Sequence, residues 1–240
     1  MDGTDLVADF LRLTASEDSV PPSTIADVVL FAIGEKPALR FAVPTEVRRA
    51  LDAWALRHGL HGAFERVGCS RVGDWVCVGR HLPTSSQSVD VTTYARTPAE
   101  ANAVCAAEHD RPGEGAGPLL GYPECCVSAY REYLKAPEAW ISVALARSGP
   151  PPYPCWANRL PISWGGPTFV GELYPCALDC SRAAAIGKRA HDAMQAMGLS
   201  SLCEHTLAAT LRPVPYGFSS AINKRSRTAE RHGEMLEFTR

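Results

Sequence analysis

The stretch Gly121-Tyr122-Pro123-Glu124-Cys125-Cys126 places two neighbouring thiols at the predicted start of a helix. A second stretch, Pro175-Cys176-Ala177-Leu178-Asp179-Cys180, places two more thiols at another predicted helix start about fifty residues later. Unpaired backbone N–H groups and the positive end of the peptide dipoles favour the thiolate form of a cysteine at such a position. We therefore predict that folding brings these four sulfurs together around one inorganic centre.

Composition and charge narrow the classes of partner. The chain has 240 residues, is 46% hydrophobic and 21% charged, and carries a formal net charge of −2. This composition is typical of a globular protein, and the absence of an overall basic field argues against a nucleic-acid partner. No apolar run is long enough to span a bilayer, and the first five residues lack the basic region of a secretory signal. We therefore expect a cytoplasmic protein without a membrane partner.

The chain contains nine cysteines. Structural disulfides are rare in a reducing compartment, and an odd number of cysteines does not pair fully. Metal binding, catalysis and simple burial remain as their roles. We interpret four isolated cysteines as buried small hydrophobes: Cys69, Cys77, Cys105 and Cys203. Whether Cys155 is a further ligand stays open.

The pattern of apolar residues predicts an α+β fold. Residues 1–95 are expected to form a small unit of helices and an antiparallel sheet, because 3.6-residue and two-residue apolar periods follow one another there. Residues 96–240 are expected to form a mainly helical unit that carries the cysteine stretches. Thr97-Pro98-Ala99-Glu100 has the capping-box pattern of a helix start. The predicted strands of the first unit are 38–43, 63–67, 75–79 and 89–94.

The thiols can hold two kinds of metal centre. Soft thiolates select zinc or an iron–sulfur cluster over magnesium or calcium. Cys176 and Cys180 have the spacing of zinc ligands, whereas the neighbouring side chains of Cys125 and Cys126 are expected to diverge. A cluster has several irons and accommodates divergent ligands better. The sequence therefore favours an iron–sulfur cluster of the 4Fe–4S type on these four cysteines, with zinc as the alternative and simple burial as the remaining interpretation.

Polar residues near the thiols are candidates for catalysis and substrate binding. Glu124 and Asp179 adjoin cysteines and are predicted proton-transfer groups, although a helix dipole also explains acidic residues at helix starts. Residues 148–175 are rich in proline, glycine and aromatics, and we expect them to form an ordered loop over the site. Within it, Asn158 and Arg159 are candidates for binding a substrate carboxylate or phosphate, with ordinary loop contacts as the alternative.

Two functions fit these residues. The first is a metal-dependent, iron–sulfur enzyme that acts on a small-molecule substrate, as a sulfurtransferase or a lyase in a biosynthetic pathway. An iron without a cysteine ligand would supply its substrate position. The second is a non-catalytic protein whose zinc or cluster locks the fold and presents a partner-binding surface. A metal-free nucleophile at Cys125 or Cys126 is a third interpretation, and the oligomeric state stays open.

The cysteine stretches also resemble a known family. Leu-Gly-Tyr-Pro-x-Cys-Cys and Pro-Cys-x-x-x-Cys are the signature of an archaeal and bacterial domain family of unknown function, and residues 120–127 and 174–180 match it. Gly34-Glu35-Lys36-Pro37-Ala38 is similar to the Lys-Pro-Ala turn of that family. The likeness spans residues 25–200, with Tyr174 where many members have a histidine. The resemblance implies a shared cysteine site and no particular activity.

Overall fold

The computed structural model shows an α+β protein, as the sequence predicts. The chain divides into two compact units, Met1–Gly121 and Tyr122–Arg240. The sequence predicts a boundary after residue 95. The helix Pro98–Asp110 belongs with the first unit because it packs against strands of that unit. The described residues are 3–16, 24–72, 75–78, 88–110, 115–133, 140–150, 153–154, 156, 169–207, 210–215, 228–231 and 234–239.

The first unit combines helices with one antiparallel sheet. Its strands lie in the order β1-β4-β2-β3, and every predicted strand is present. The strands are β1 (Ala38–Val43), β2 (His61–Val72), β3 (Trp75–Val78) and β4 (Ser88–Ala95). The helices are α1 (Gly3–Ser16), α2 (Thr24–Ala32), α3 (Thr45–Arg57), α4 (Pro98–Asp110) and α5 (Ala116–Leu119).

Local sequence signals explain where these helices begin and end. The predicted capping box starts α4: the N–H of Glu100 donates to the Thr97 hydroxyl at 3.2 Å, and the N–H of Thr97 donates to the Glu100 carboxylate at 3.1 Å. Gly34 and Gly59 follow α2 and α3 with φ of 82° and 62°. Glycine reaches this left-handed conformation without steric cost, so both helices end there.

An aromatic cluster forms the core of the first unit. The Phe10 ring of α1 lies 5.3 Å from the Trp54 ring of α3 and 5.8 Å from the Phe41 ring of β1, measured between ring centroids. Tyr94 of β4 adds a further contact, 5.9 Å from Phe41. All four residues are buried. Large aromatic side chains contribute most of the buried apolar area in such a core, so this cluster joins two helices to one face of the sheet.

A buried ion pair fixes the turn between α2 and β1. The Lys36 ammonium lies 2.5 Å from a carboxylate oxygen of Asp27, and the two side chains are 4% and 2% exposed. Gly121 lies close to the same turn with φ of 78°, and a Cβ added there would come within 3.3 Å of the Pro37 ring. Only glycine combines this backbone conformation with the close approach. The Lys-Pro-Ala turn thus packs against Gly121, the last residue of the first unit.

We expect Lys36→Met to lower the free energy of unfolding by about 3–5 kcal/mol, because it leaves a buried carboxylate without this ammonium. The double variant Asp27→Leu/Lys36→Met removes both charges and should recover much of that loss. Urea denaturation measures both effects. Arg57→Met, which removes an exposed ion pair with Asp9, is the control and should cost less than about 1 kcal/mol. Equal losses in Lys36→Met and the control would contradict a stabilising role for the buried pair.

The second unit combines helices with its own antiparallel sheet. Its strands lie in the order β5-β6-β8-β7, so β8 pairs with a strand on each side. The strands are β5 (Tyr153–Pro154), β6 (Thr210–Pro215), β7 (Thr228–Arg231) and β8 (Glu234–Thr239). The helices are α6 (Glu124–Tyr133), α7 (Trp140–Arg147), α8 (Ser181–Ala196) and α9 (Ser200–Leu207).

The helices are short by the standard of membrane proteins. A bilayer span needs about 20 apolar residues. In the second unit α8 has 16 residues, and in the first unit α1 has 14. Within the described parts of the chain, no helix is both long enough and apolar enough to cross a membrane.

Candidate metal centre

Helix α6 positions the first pair of thiols. It begins directly after Pro123, whose carbonyl accepts the N–H groups of Cys126 and Val127 at 2.9 and 3.0 Å. Proline suits a helix start because its missing N–H would have no partner within the helix. Cys125 and Cys126 therefore lie in the first turn, as predicted. Cys126 is 1% exposed, and Cys125 is half-buried.

A tight turn ahead of α8 positions the second pair. The N–H of Cys180 donates to the Ala177 carbonyl at 3.1 Å, which closes the turn. The carbonyl of Cys180 then accepts the N–H of Ala184 at 2.8 Å, so Cys180 is the residue from which α8 starts. Cys180 is 9% exposed, and Cys176, at the beginning of the turn, is half-buried.

The end of α7 holds this turn in place. The Ser148 hydroxyl donates to the Ala144 carbonyl at 2.6 Å and accepts the N–H of Leu178 at 2.8 Å. The Asp179 carboxylate accepts the N–H of Gly149 at 2.9 Å. Ser148 was not among the predicted site residues, since a serine after a helix carries no signal for a partner 30 positions away. These hydrogen bonds connect the cysteine turn to a separate helix.

The structure brings the four predicted cysteines together. The sulfurs of Cys125, Cys126, Cys176 and Cys180 all lie within 4.8 Å of one another. Between sulfur atoms, Cys126 and Cys180 are 3.8 Å apart, Cys125 and Cys126 are 3.9 Å apart, and Cys125 and Cys180 are 4.0 Å apart. We expected the neighbouring side chains to diverge, and this is wrong, because rotation about each Cα–Cβ bond can turn both sulfurs to one side. Four soft donors in this arrangement can hold a metal ion.

An apolar cluster surrounds the sulfurs. Four buried apolar residues pack with Cys126 and Cys180, and Tyr122 and Ile186 lie partly buried against them. Tyr174, where the family resemblance would place a histidine, packs against Tyr130 with 5.2 Å between ring centroids. These side chains exclude water from the sulfurs of Cys126 and Cys180, which strengthens electrostatic interactions between them. The four buried residues are Val170, Leu173, Ala177 and Ala183.

The pKa values of the thiols differ because the thiols hydrogen-bond to one another. Hydrogen bonding from the Cys126 thiol lowers the pKa of Cys180 to about 5 against the opposing effect of burial. The N–H groups of Ala183 and Arg182 in the first turn of α8 add to this lowering, as expected at a helix start. The hydrogen bond to Cys180 and burial raise the pKa of Cys126, and burial raises the pKa of Cys176 to about 12. Hydrogen bonding and burial therefore favour ionisation of Cys180 over that of Cys126 and Cys176.

The other predicted site residues are either exposed or outside the described part of the chain. Glu124 is exposed at the first position of α6. Asp179 is exposed and uses its carboxylate to bind the Gly149 backbone. Asn158, Arg159 and Cys155 lie outside the described residues, as does much of the predicted loop 148–175.

Comparison of the chain with protein-family models, curated proteins and solved structures finds no match. The family resemblance of the cysteine stretches therefore stays a prediction. What the chain does has to be inferred from the chemistry of the four thiols and their surroundings.

Helix α8 owes its position to a glycine. A Cβ added at Gly187 would lie 1.9 Å from the backbone oxygen of Trp156. No side chain fits in that space without moving the backbone. Gly187 thus allows α8, which begins at the site, to lie against the backbone of Trp156. An isolated glycine in a helix does not reveal this role from sequence.

Gly187→Ala should lower the free energy of unfolding by about 1–3 kcal/mol through overpacking. In an unconstrained helix the same change raises stability by about 1 kcal/mol, so the sign of the effect is the test. Ala185→Gly, at an exposed position of the same helix, measures the local helix propensity as a control. Stabilisation by Gly187→Ala in chemical denaturation would show that the contact with Trp156 is absent.

Asp179 is expected to act by positioning the cysteine turn. Asp179→Ala removes the acceptor for the Gly149 N–H and should weaken metal affinity about 10- to 100-fold, the usual effect of losing a group that orients a ligand. Asp179→Asn keeps an oxygen acceptor but cannot transfer a proton as a carboxylate does. It should therefore bind metal nearly as well as the natural protein in competition with a chromogenic chelator. Comparable weakening in both variants would argue against the positioning role.

Proposed function

We propose that Cys125, Cys126, Cys176 and Cys180 bind a single zinc ion, and that this ion stabilises the second unit of a non-catalytic protein. The separations between the sulfurs carry the proposal. A tetrahedron of sulfurs about 2.3 Å from a central zinc has edges of about 3.8 Å. The measured separations of 3.8, 3.9 and 4.0 Å match those edges, and the remaining ones lie within 4.8 Å.

A 4Fe–4S cluster, which the sequence favours, is the second candidate for the centre. In such a cluster each thiolate binds a different iron, so an iron–iron edge separates any two cysteine sulfurs in addition to two iron–sulfur bonds. The cysteine sulfurs would have to move apart to make room for it. Zinc requires little movement, and for this reason we place it first.

The number and type of ligands support a structural role for the ion. Four protein ligands fill the tetrahedral coordination of zinc, whereas catalytic zinc sites keep one position for water or substrate. Zinc bound here would join the first turn of α6 to the turn ahead of α8, segments that are distant in sequence. The free energy of metal binding then adds to the free energy of folding. Such a domain suits the presentation of a surface to a partner.

A metal-dependent enzyme, either a sulfurtransferase or a lyase, is the second candidate function. The half-exposure of Cys125 and Cys176 is the observation that favours it, because a substrate has to reach the centre. The acidic candidates support it less well. Asp179 is engaged by the Gly149 backbone, and Glu124 lies on an exposed helix surface, where a carboxylate is not desolvated.

Metal and sulfide analysis of protein purified without oxygen tests the proposal. We expect one zinc per chain, no acid-labile sulfide and no visible colour, because zinc has a filled d shell. Replacement of the zinc by cobalt should give the strong visible absorption of tetrahedral cobalt bound to four thiolates. A brown protein containing several irons and sulfide would instead support the cluster, and a coloured protein with one iron would support a mononuclear iron site.

Serine substitutions identify the ligands in the same protein. Each of the four substitutions Cys125→Ser, Cys126→Ser, Cys176→Ser and Cys180→Ser should reduce the zinc retained after dialysis against a chelator. The control is Cys105→Ser, which changes a half-buried cysteine of the first unit and should leave zinc content unchanged. Metal-free protein with normal stability in all variants would refute a structural metal.

A further inference from the structure

The four sulfurs of the centre are unequally shielded from solvent. Cys126 and Cys180 are 1% and 9% exposed and belong to the buried apolar cluster of the second unit. Cys125 and Cys176 are half-buried and pack at the edge of that cluster. A reagent from solvent therefore reaches the edge pair, Cys125 and Cys176, before it reaches the buried pair.

Backbone N–H groups increase this inequality. Those of Arg182 and Ala183 lie in the first turn of α8, directly after Cys180, where helix N–H groups have no partner within the helix. The N–H of Cys176 hydrogen-bonds to the Cys126 sulfur. An N–H group that donates to a metal-bound thiolate withdraws electron density from it and makes it a weaker nucleophile. The buried pair, Cys126 and Cys180, is thus both less accessible to solvent and less nucleophilic.

We infer that the edge pair, Cys125 and Cys176, is a modification site for a soft, uncharged carbon electrophile. This inference rests on the proposed zinc centre, which keeps the thiols ionised at neutral pH without requiring a general base. Metal-bound thiolates keep nucleophilic character on their sulfur, and the reaction of one of them would change the ligand set of the ion.

The reaction is an alkyl transfer that balances without a redox partner. The sulfur of Cys125 or Cys176 attacks the carbon atom, a carbon–sulfur bond forms, and the bond from that carbon to its leaving group breaks. The electron pair of the broken bond departs with the leaving group. The product is a neutral thioether, which is a weaker zinc ligand than a thiolate. Alkylation therefore lowers the affinity of the site for the zinc ion that stabilises the second unit.

The negative charge of the proposed centre favours neutral electrophiles over anionic ones. Four thiolates and one divalent cation give the centre a net charge of −2, because each thiolate contributes −1. The apolar cluster around the sulfurs keeps this charge poorly screened. An anionic reagent is repelled, whereas a neutral one of the same shape enters freely. The matched pair iodoacetamide and iodoacetate differs only in this charge.

The experiment treats the full zinc-loaded chain with each reagent and maps the labelled cysteines by peptide mass spectrometry. We expect Cys125 or Cys176 to be labelled first with iodoacetamide, roughly tenfold faster than Cys126 or Cys180, as their exposure predicts. A chromogenic zinc indicator should show release of the ion in step with this labelling. Iodoacetate should be slower than iodoacetamide by a larger factor than it is with glutathione.

Cys105 provides an internal reference, because it is half-buried in the first unit and has no role in the proposed centre. Even labelling of the four site cysteines, earlier labelling of the buried pair, or labelling of Cys105 alone would overturn the inference. If zinc is bound and retained while the edge pair stays unreactive, the modification site fails and the structural zinc stands. If metal analysis finds no zinc, the proposed function itself has failed.

Discussion

The close approach of four thiols is the constraint on which the candidate metal centre depends. Its four sulfurs lie within 4.8 Å of one another, and burial removes much of the water that would screen their charges. Hydrogen bonds from the Cys126 thiol and from the first turn of α8 lower the pKa of Cys180, and a negative charge there would oppose ionisation of its neighbours. Only a cation at their centre allows all four to ionise together. The spacing of the thiols therefore decides which metal ion could fit between them.

Backbone hydrogen bonds hold the second pair of thiols in position. The turn from Cys176 to Cys180 is held through Leu178 and Asp179 by the residues that follow α7. Groups that resemble a catalytic acid or base in the sequence can thus serve the backbone instead. Apolar residues complete the site, because they cover the sulfurs of Cys126 and Cys180.

The two units are stabilised by different interactions. In the first unit, aromatic rings of α1, α3, β1 and β4 form a core, and the buried pair of Lys36 and Asp27 anchors the turn between α2 and β1. In the second unit, buried apolar residues pack around the thiols, and Cys126 and Cys180 belong to the same cluster.

The sequence by itself determined the local features of this protein: strand β1, the capping box of α4, the glycines that end α2 and α3, and the four cysteines near two helix starts. Each depends on residues within a few positions of one another, where backbone sterics and periodicity act directly. Only the tertiary structure decided that α4 belongs to the first unit, that β8 has strands on both sides and that adjacent cysteines turn their sulfurs together. These features depend on contacts between distant segments and on side-chain rotation, which local pattern does not encode.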